Sequence, residues 1–425
     1  MTPATEGSLR VDGGRLWRSL MAMAEIGATP AGGSCRLALS DEDRAGRDLF
    51  VQWCADSGCQ ITVDDMGNIF ARRAGRRDDL PPVVAGSHLD TQPHGGRFDG
   101  VYGVLAGLEV IRTLNDHDVT TEAPIEVAVW TNEEGARFAP AMVSSGVFAG
   151  LFERDYALSR EDADGKTLGE ELARIGYLGT ESCGARPLGA FFEAHIEQGP
   201  ILEREGETIG VVVGGQGQRW YDVTVEGQDA HAGSTPLPGR RDALVAASAM
   251  ISAVRRVAES HPPHGVGTVG QLEVGPNSRN TIPGRVRFTV DLRHPDDATL
   301  ARMDEAFRAA AADAAHGESV ALTIDEIWHN PPVHFDAECI DAVRAAAAEL
   351  GYAHRDMVSG AGHDACQICR VAPTAMIFVP CAGGLSHNEA ESAEPADLEA
   401  GCNVLLHAML NRAMLDRSNA MNDSP

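Results

Sequence analysis

The chain has 425 residues, 43% hydrophobic and 23% charged, with 35 basic against 62 acidic side chains and a formal net charge of −27. That length suggests two or three domains with an ample core, and the acidity argues against nucleic acid and against an anionic membrane surface as partners. Nine cysteines at irregular spacing make no disulfide framework, and no segment approaches the roughly 20 apolar residues of a membrane span. The opening residues MTPATEGSLRVDGG lack the basic and apolar regions of a signal peptide, so a protein of the reducing cytoplasm is expected.

Residues 16–26 carry helical apolar spacing. Ser40, ahead of Asp41-Glu42-Asp43, is placed to cap a helix that runs to about Ser57. Residues 59–63 and 69–72 read as strands around the turn Asp64-Asp65-Met66-Gly67-Asn68. Val83-Val84-Ala85 starts a buried strand that delivers His88 and Asp90 at its end. Asp99 follows, among Gly95, Gly96 and Gly100, which let the backbone turn tightly near a bound group. Val104, Leu105, Leu108, Ile111 and Leu114 then mark a helix. Strand, polar loop and helix in that order place ligand-type side chains at the carboxyl edge of a sheet.

Residues 124–131 form the next strand, ending in Asn132-Glu133-Glu134-Gly135. Two adjacent carboxylates past a strand are ordinarily a solvated turn. One supersecondary unit after the His/Asp loop, they read as functional. Residues 151–185 are charged surface helices, and 190–199 bring His195, Glu197 and Gln198. Gly214, Gly215 and Gly217 make no dinucleotide loop, because no GxGxxG opens a helix there. Strands at 220–227, 266–274, 285–293 and 321–327, with helices at 241–259 and 300–315, give a β-α-β-β-α-β run. We read 211–330 as an inserted domain and 1–210 with 331–425 as the discontinuous domain around it, with Pro331-Pro332 as the exit hinge. A strand at 374–379 precedes His387. His363-Asp364 reads as a helix start and is given no chemistry. Cys366-x-x-Cys369 has no second CxxC and reads as two thiols on a helix. The tail after Arg417 reads as frayed.

His88, Asp90, Asp99, Glu133, Glu134, His195 and His387 all follow strands or end them. Three imidazoles with several carboxylates suit Zn, Mn, Ni or Co better than Ca or Mg, and there are enough donors for two ions sharing a bridging carboxylate. In GSHLDTQPHGGRFDG (86–100), WTNEEGARFAP (130–140), AHIEQGP (194–200), DAHAGSTP (229–236), NTIPG (280–284), SGAGHDA (359–365) and GLSHNE (384–389), the sequence resembles the metal-dependent amidohydrolases of the M20 peptidase-like clan. The branch is that of N-carbamoyl-L-amino-acid hydrolases, β-ureidopropionases and allantoate amidohydrolases. The first two motifs look most similar to bacterial L-carbamoylases.

The resemblance implies an α/β fold, with a mixed-sheet, dinuclear metallo-exopeptidase-like catalytic domain and an inserted α+β, ferredoxin-like dimerisation and lid domain. It implies two divalent ions (Zn, Mn, Co or Ni), His88 and His195 on one, Glu134 and His387 on the other, and Asp99 between them. Asp90 orients His88, and Glu133 is the general base. Gln198, His231, Asn280, Arg293 and Gly362 match substrate-binding positions, with His231 and Asn280 reaching the partner subunit's site in a homodimer. The implied reaction is hydrolysis of the carbamoyl C–N bond of an N-carbamoyl-L-amino acid to amino acid, ammonia and carbon dioxide. Allantoate or N-carbamoyl-β-alanine is the near alternative, a dipeptide or N-acyl amino acid the more distant one, and a non-catalytic metal-binding protein the reading from another class. Many peptidases of the wider clan carry a carboxylate where this chain has His195, and an acidic residue where it has Gly100. Both departures favour the ureido-hydrolysing branch.

Overall fold

The computed structural model describes residues 9–414, so the tail after Arg417 lies outside it. The chain divides into two compact units, Gly214–Val333 and the flanking stretches up to Val213 and from His334. Among the described residues no helix is long and apolar enough to cross a membrane.

The flanking unit is built on one sheet. Its strands run in the order Gln60–Val63, Ile69–Arg73, Ile125–Trp130, Val83–His88, Ala190–Ile196, Thr374–Val379, Ile209–Gly215 and Val333–His334, with His354–Ser359 also paired to Ile209–Gly215. The middle four strands are mutually parallel. Every residue of these four is buried, which is why they read as unbroken apolar runs instead of alternating ones. Parallel pairing aligns their carboxyl ends. His88 lies opposite Trp130, three residues before Glu133, and His195 lies opposite Phe378.

Helices fix these ends in place. Ser40 accepts the amide of Asp43 at 3.1 Å and caps the helix Asp41–Asp56. Inside that helix Arg47 pairs with Asp43 at 2.8 Å, both fully buried, and its guanidinium reaches the Gly67 carbonyl at 2.9 Å and Thr131 Oγ1 at 3.2 Å. A buried charge is tolerable only when its remaining donors are satisfied, and here they clamp the strand end that carries Glu133. The helix Val101–Asp116 beds directly on the sheet: a Cβ at Gly103 would lie 2.4 Å from the Ala194 carbonyl oxygen.

The second unit has the order Gly217–Glu226, helix Ala243–Glu259, Val266–Thr268, Leu272–Gly275, Arg285–His294, helix Asp297–Gly317 and Ala321–Asn330. Its five strands pair antiparallel. Tyr221, Val223, Val225, Val286, Phe288, Val290 and Leu292 form a core with Met250, Val254, Leu300, Met303 and Phe307 from the two helices. The single strand expected over 266–274 is two short ones on different stretches of Arg285–His294. The break falls at Gln271, whose carbonyl accepts the Thr289 amide at 3.2 Å but whose own amide goes to the Thr289 side chain at 3.2 Å. A separate ribbon pairs Ala230–His231 with Thr281–Ile282.

Candidate metal centre

Two groups of potential ligands meet at the carboxyl edge of the parallel strands. His88, Asp99 and His195 form one, and Asp99, Glu134 and His387 the other, each with donor atoms within 4.8 Å of one another. Asp99 is common to both. Its Oδ1 lies 3.1 Å from His195 Nε2 and 3.6 Å from His88 Nε2, while its Oδ2 lies 3.5 Å from His387 Nε2. Glu134 Oε2 is 3.4 Å from the same His387 nitrogen, and Glu133 Oε2 is 3.5 Å from His88 Nε2. Each group has the donors to hold a divalent ion. Both buried imidazoles direct Nδ1 at a backbone carbonyl, His88 to Asp90 at 2.8 Å and His195 to Ile196 at 2.9 Å. A carbonyl can only accept, so the proton sits on Nδ1 and Nε2 is left able to bind a cation.

The Asp90 contact differs from the expected one. Its backbone carbonyl, not its carboxylate, orients His88. The carboxylate accepts the amides of Glu133 at 3.3 Å and Glu134 at 3.2 Å, so it positions the acidic turn. Gly100 has φ +68°, and a Cβ there would lie 2.3 Å from the His88 ring. Position 100 therefore excludes any side chain on two independent grounds. Asn132, Met142, Gln198 and His387 all have positive φ without being glycine. Such strain at four loop positions around one site is what a functional constraint leaves behind. The Met142 amide donates to the Glu133 carbonyl at 2.7 Å, and its thioether packs over Gly362.

Sequence reasoning missed several supporting residues. Gln92 donates to Glu134 Oε2 at 2.7 Å, Ser386 donates to Asp99 Oδ2 at 2.8 Å, and Glu391 accepts the amides of Phe98 at 2.9 Å and Asp99 at 3.2 Å. Gln92 stands inside the first motif, but a neutral amide carries no ligand signature of its own. Glu193 and His363 form a further donor group with His195. Both Glu193 oxygens are taken, by Ser87 Oγ at 2.7 Å and the Ala365 amide at 2.9 Å, which makes it a brace between elements. Glu197, beside His195 in sequence, accepts the amides of Ile201 and Leu202 at 2.8 Å each and holds a helix start.

Burial dominates the electrostatics. It pushes the Glu133 carboxyl well above its ordinary range, with nearby Asp364 adding to the effect. It likewise lifts Glu134, with Asp99, to about 8. Burial opposes charge on His88, yet the facing carboxylates of Glu133 and Asp99 outweigh it and raise the imidazole. Three carboxyls crowded at one buried point with two imidazoles are a site short of positive charge, as a cation site is.

Gln198 Nε2 donates to Asp99 Oδ2 at 2.8 Å and to Ser386 at 3.1 Å, while its Oε1 is buried with no partner among the described residues. His231, Asn280 and Arg293 belong to the second unit. His231 Nδ1 accepts the amides of Gly233 at 3.0 Å and Ser234 at 3.2 Å, so the neutral ring carries its proton on Nε2. Asn280 is exposed on the facing strand end of the same ribbon, and its carbonyl accepts the Ala232 amide at 2.9 Å. Arg293 makes a forked contact with Asp291, 3.1 Å from Nε and 2.7 Å from Nη2.

A parallel-centred sheet with joined His and carboxylate donors at its carboxyl edge defines a metal-dependent hydrolase. The chain belongs to peptidase family M20/M25/M40, whose model matches residues 84–411. It is 52% identical over 404 residues to the N-carbamoyl-L-amino-acid amidohydrolase of Rhizobium meliloti, covering 95% of this chain and 97% of that one. To the enzyme of the same name from Geobacillus stearothermophilus it is 38% identical over 406 residues, 94% and 98% of the two chains. The crystal structure of a hydantoinase/carbamoylase family amidase from Burkholderia multivorans superposes with a TM-score of 0.94 at 63% identity, covering 96% of this chain and 99% of that one.

Proposed function

We propose that this hydrolase cleaves the carbamoyl C–N bond of N-carbamoyl-L-amino acids, releasing the amino acid, ammonia and carbon dioxide. The observation that carries the reading is Asp99, which turns one carboxylate oxygen to each of two donor groups. His88 and His195 would hold one divalent ion and Glu134 and His387 the other. Bound there, Zn, Mn, Co or Ni would polarise the carbamoyl oxygen and acidify a water molecule. The remaining steps belong to side chains. Glu133, its carboxyl lifted by burial, takes the proton of the attacking water and returns it to the leaving nitrogen. Asp90 holds the two acidic residues in register through their amides. The unpartnered Oε1 of Gln198 would accept a ureido N–H. His231, with its proton on Nε2, and Asn280 would donate to the developing oxyanion, a contribution of roughly 3–4 kcal/mol for a well-placed donor. Arg293, which forks onto Asp291 in the structure, would turn its guanidinium to the α-carboxylate, with the backbone at Gly362 as a further contact.

His231 and Asn280 act in this reading across a homodimer formed through residues 211–330, in a cytoplasmic enzyme. Light scattering during assay tests the trans arrangement, and a fully active monomer would remove it. The substrate is tested by stripping the protein of metal and reloading it with Mn, Zn, Co or Ni. Ammonia release is followed from N-carbamoyl-L-amino acids, N-carbamoyl-β-alanine and allantoate, and amino-acid release from an N-acetyl amino acid and a dipeptide. Turnover of the carbamoyl amino acids above the rest supports the reading. Preference for allantoate or the β-ureido acid moves it to the neighbouring substrate, and cleavage of only the acyl or peptide compounds overturns it.

A further inference from the structure

The helix Asp41–Asp56 ends in a turn that no part of the reaction uses. The amide of Cys59 donates to the carbonyl of Cys54 at 3.0 Å, and the amide of Gly58 to that of Ala55 at 2.9 Å, with Gly58 at φ +80°. These paired bonds define a Schellman turn, in which the side chains at its two ends come into contact. Here both ends are cysteines. Cys54 is fully buried and Cys59 half-buried.

Two guanidiniums, those of Arg73 and Arg112, act on Cys59. Arg73 donates from Nε to Asn115 Oδ1 at 2.8 Å and from Nη2 to the Val119 carbonyl at 2.7 Å, while its Nη1 is buried with no partner among the described residues. No carboxylate pairs with Arg73 among the described residues. Arg112, held by Ser19 at 3.0 Å and lying over the Trp53 ring, is the second guanidinium. It lines an open cavity of about 530 Å³ together with Trp53, Asp56 and Ser57 from the same helix end. The neighbouring Cys54 thiol, with Arg73 and Arg112, holds the Cys59 thiol below its ordinary value, while burial pushes Cys54 up. The Cys366-x-x-Cys369 pair lacks this setting. Burial raises both of its thiols, and the Cys369 thiol is turned to the Cys366 carbonyl at 3.3 Å.

We propose that Cys54 and Cys59 are a reversible oxidation site that forms a disulfide across the helix-terminating turn on exposure to a peroxide. The Cys59 thiolate attacks a peroxide oxygen, an S–O bond forms, and the O–O bond breaks as hydroxide leaves and is protonated to water. The Cys54 sulfur then attacks the Cys59 sulfenic acid. The S–S bond forms, the S–O bond breaks, and the departing hydroxide takes the Cys54 proton as a second water. Two thiols lose two electrons, and one peroxide is reduced to two waters.

The test uses the full-length protein with hydrogen peroxide at stoichiometric to tenfold ratios, followed by alkylation, trypsin and mass spectrometry. Residues 48–72 leave trypsin as one peptide holding both cysteines and no other. After oxidation it should appear without alkylation and about 2 Da lighter than the dithiol, before Cys366 and Cys369 change, and dithiothreitol should restore it. Arg73→Gln should slow this oxidation by roughly fivefold or more, because the attacking thiolate loses its cation. The proposal is overturned if the peptide stays doubly alkylated, if Cys59 passes to the sulfonic acid with Cys54 still alkylated, or if Cys366 and Cys369 oxidise first.

Discussion

The Asp90 carbonyl receives the Nδ1 proton of His88 at 2.8 Å, while the Asp90 carboxylate faces the other way and accepts the amides of Glu133 and Glu134. One residue thus fixes the tautomer of a proposed ligand with its backbone and the register of the proposed base with its side chain. The two tasks are separable. Asp90→Asn keeps the carbonyl and one acceptor oxygen, so we expect metal content near that of the parent with reduced kcat. Equal loss of metal and turnover would show that the carboxylate serves the ligand set instead.

Glu133 is the nearest carboxylate to His88 that belongs to neither metal group. Glu133→Gln should retain bound metal and lose about 10²–10⁴-fold in kcat. Metal analysis and steady-state kinetics on the same sample check this, and a near-normal kcat would end the general-base assignment.

His387 and Glu134 share one group with Asp99, and His88 and His195 the other. His387→Ala should therefore lower the metal content by one ion per chain and leave the His88 site filled. Asp99→Asn should weaken both. Titration with Zn or Mn under a competing chelator separates these outcomes. His387 is the more accessible of the proposed ligands, with 52% of its side chain exposed against 2% for His88, so its ion should be the first that a chelator removes.

Gly100 touches no ion in the proposed scheme, yet Gly100→Ala should damage the site. The new methyl must occupy a backbone at φ +68° and stand 2.3 Å from the His88 ring. We expect loss of metal affinity and most activity in a folded protein, read by metal analysis beside circular dichroism. Retained metal binding would mean that the loop yields more than a packed site allows.

Away from the centre, Glu171 accepts Arg137 Nη2 at 2.7 Å and Arg174 Nε at 2.9 Å. Burial pulls its carboxyl up, but the bonds from Arg174 and Arg137 outweigh it and hold the carboxyl below its ordinary 4.5. A depressed carboxylate stabilises the fold fully above its unfolded value and loses that contribution as pH falls through the folded one. Glu171→Gln should thus cost roughly 1–3 kcal/mol at neutral pH, and the gap to the parent should close below pH 4.5. Urea unfolding at stepped pH measures the gap, and a gap that stays constant with pH refutes the ionic contribution.

Local chemistry was legible in the sequence. The buried parallel strands, the Ser40 cap, the acidic turn at Glu133-Glu134 and the alternation in 285–293 follow from apolar period, capping and β-branched residues acting over a few positions. The motifs also named His88, Asp99, Glu134, His195 and His387, which the fold brings together from far apart in the chain. Tertiary structure alone decided which atom of each residue does what. Only packing shows that Asp90 uses its carbonyl, that Gly100 is kept bare by the His88 ring, that Gln92 and Ser386 hold the carboxylates of Glu134 and Asp99, and that Glu391 accepts the Asp99 amide. A sequence records side-chain types and intervals, whereas these outcomes depend on ring orientation, on free backbone groups and on space left by residues remote in the chain. The cysteines follow the same logic. CxxC is the pair the sequence offers, but a helix-terminating glycine places Cys54 and Cys59 at the two ends of one turn, with half-buried Arg73 on a neighbouring strand.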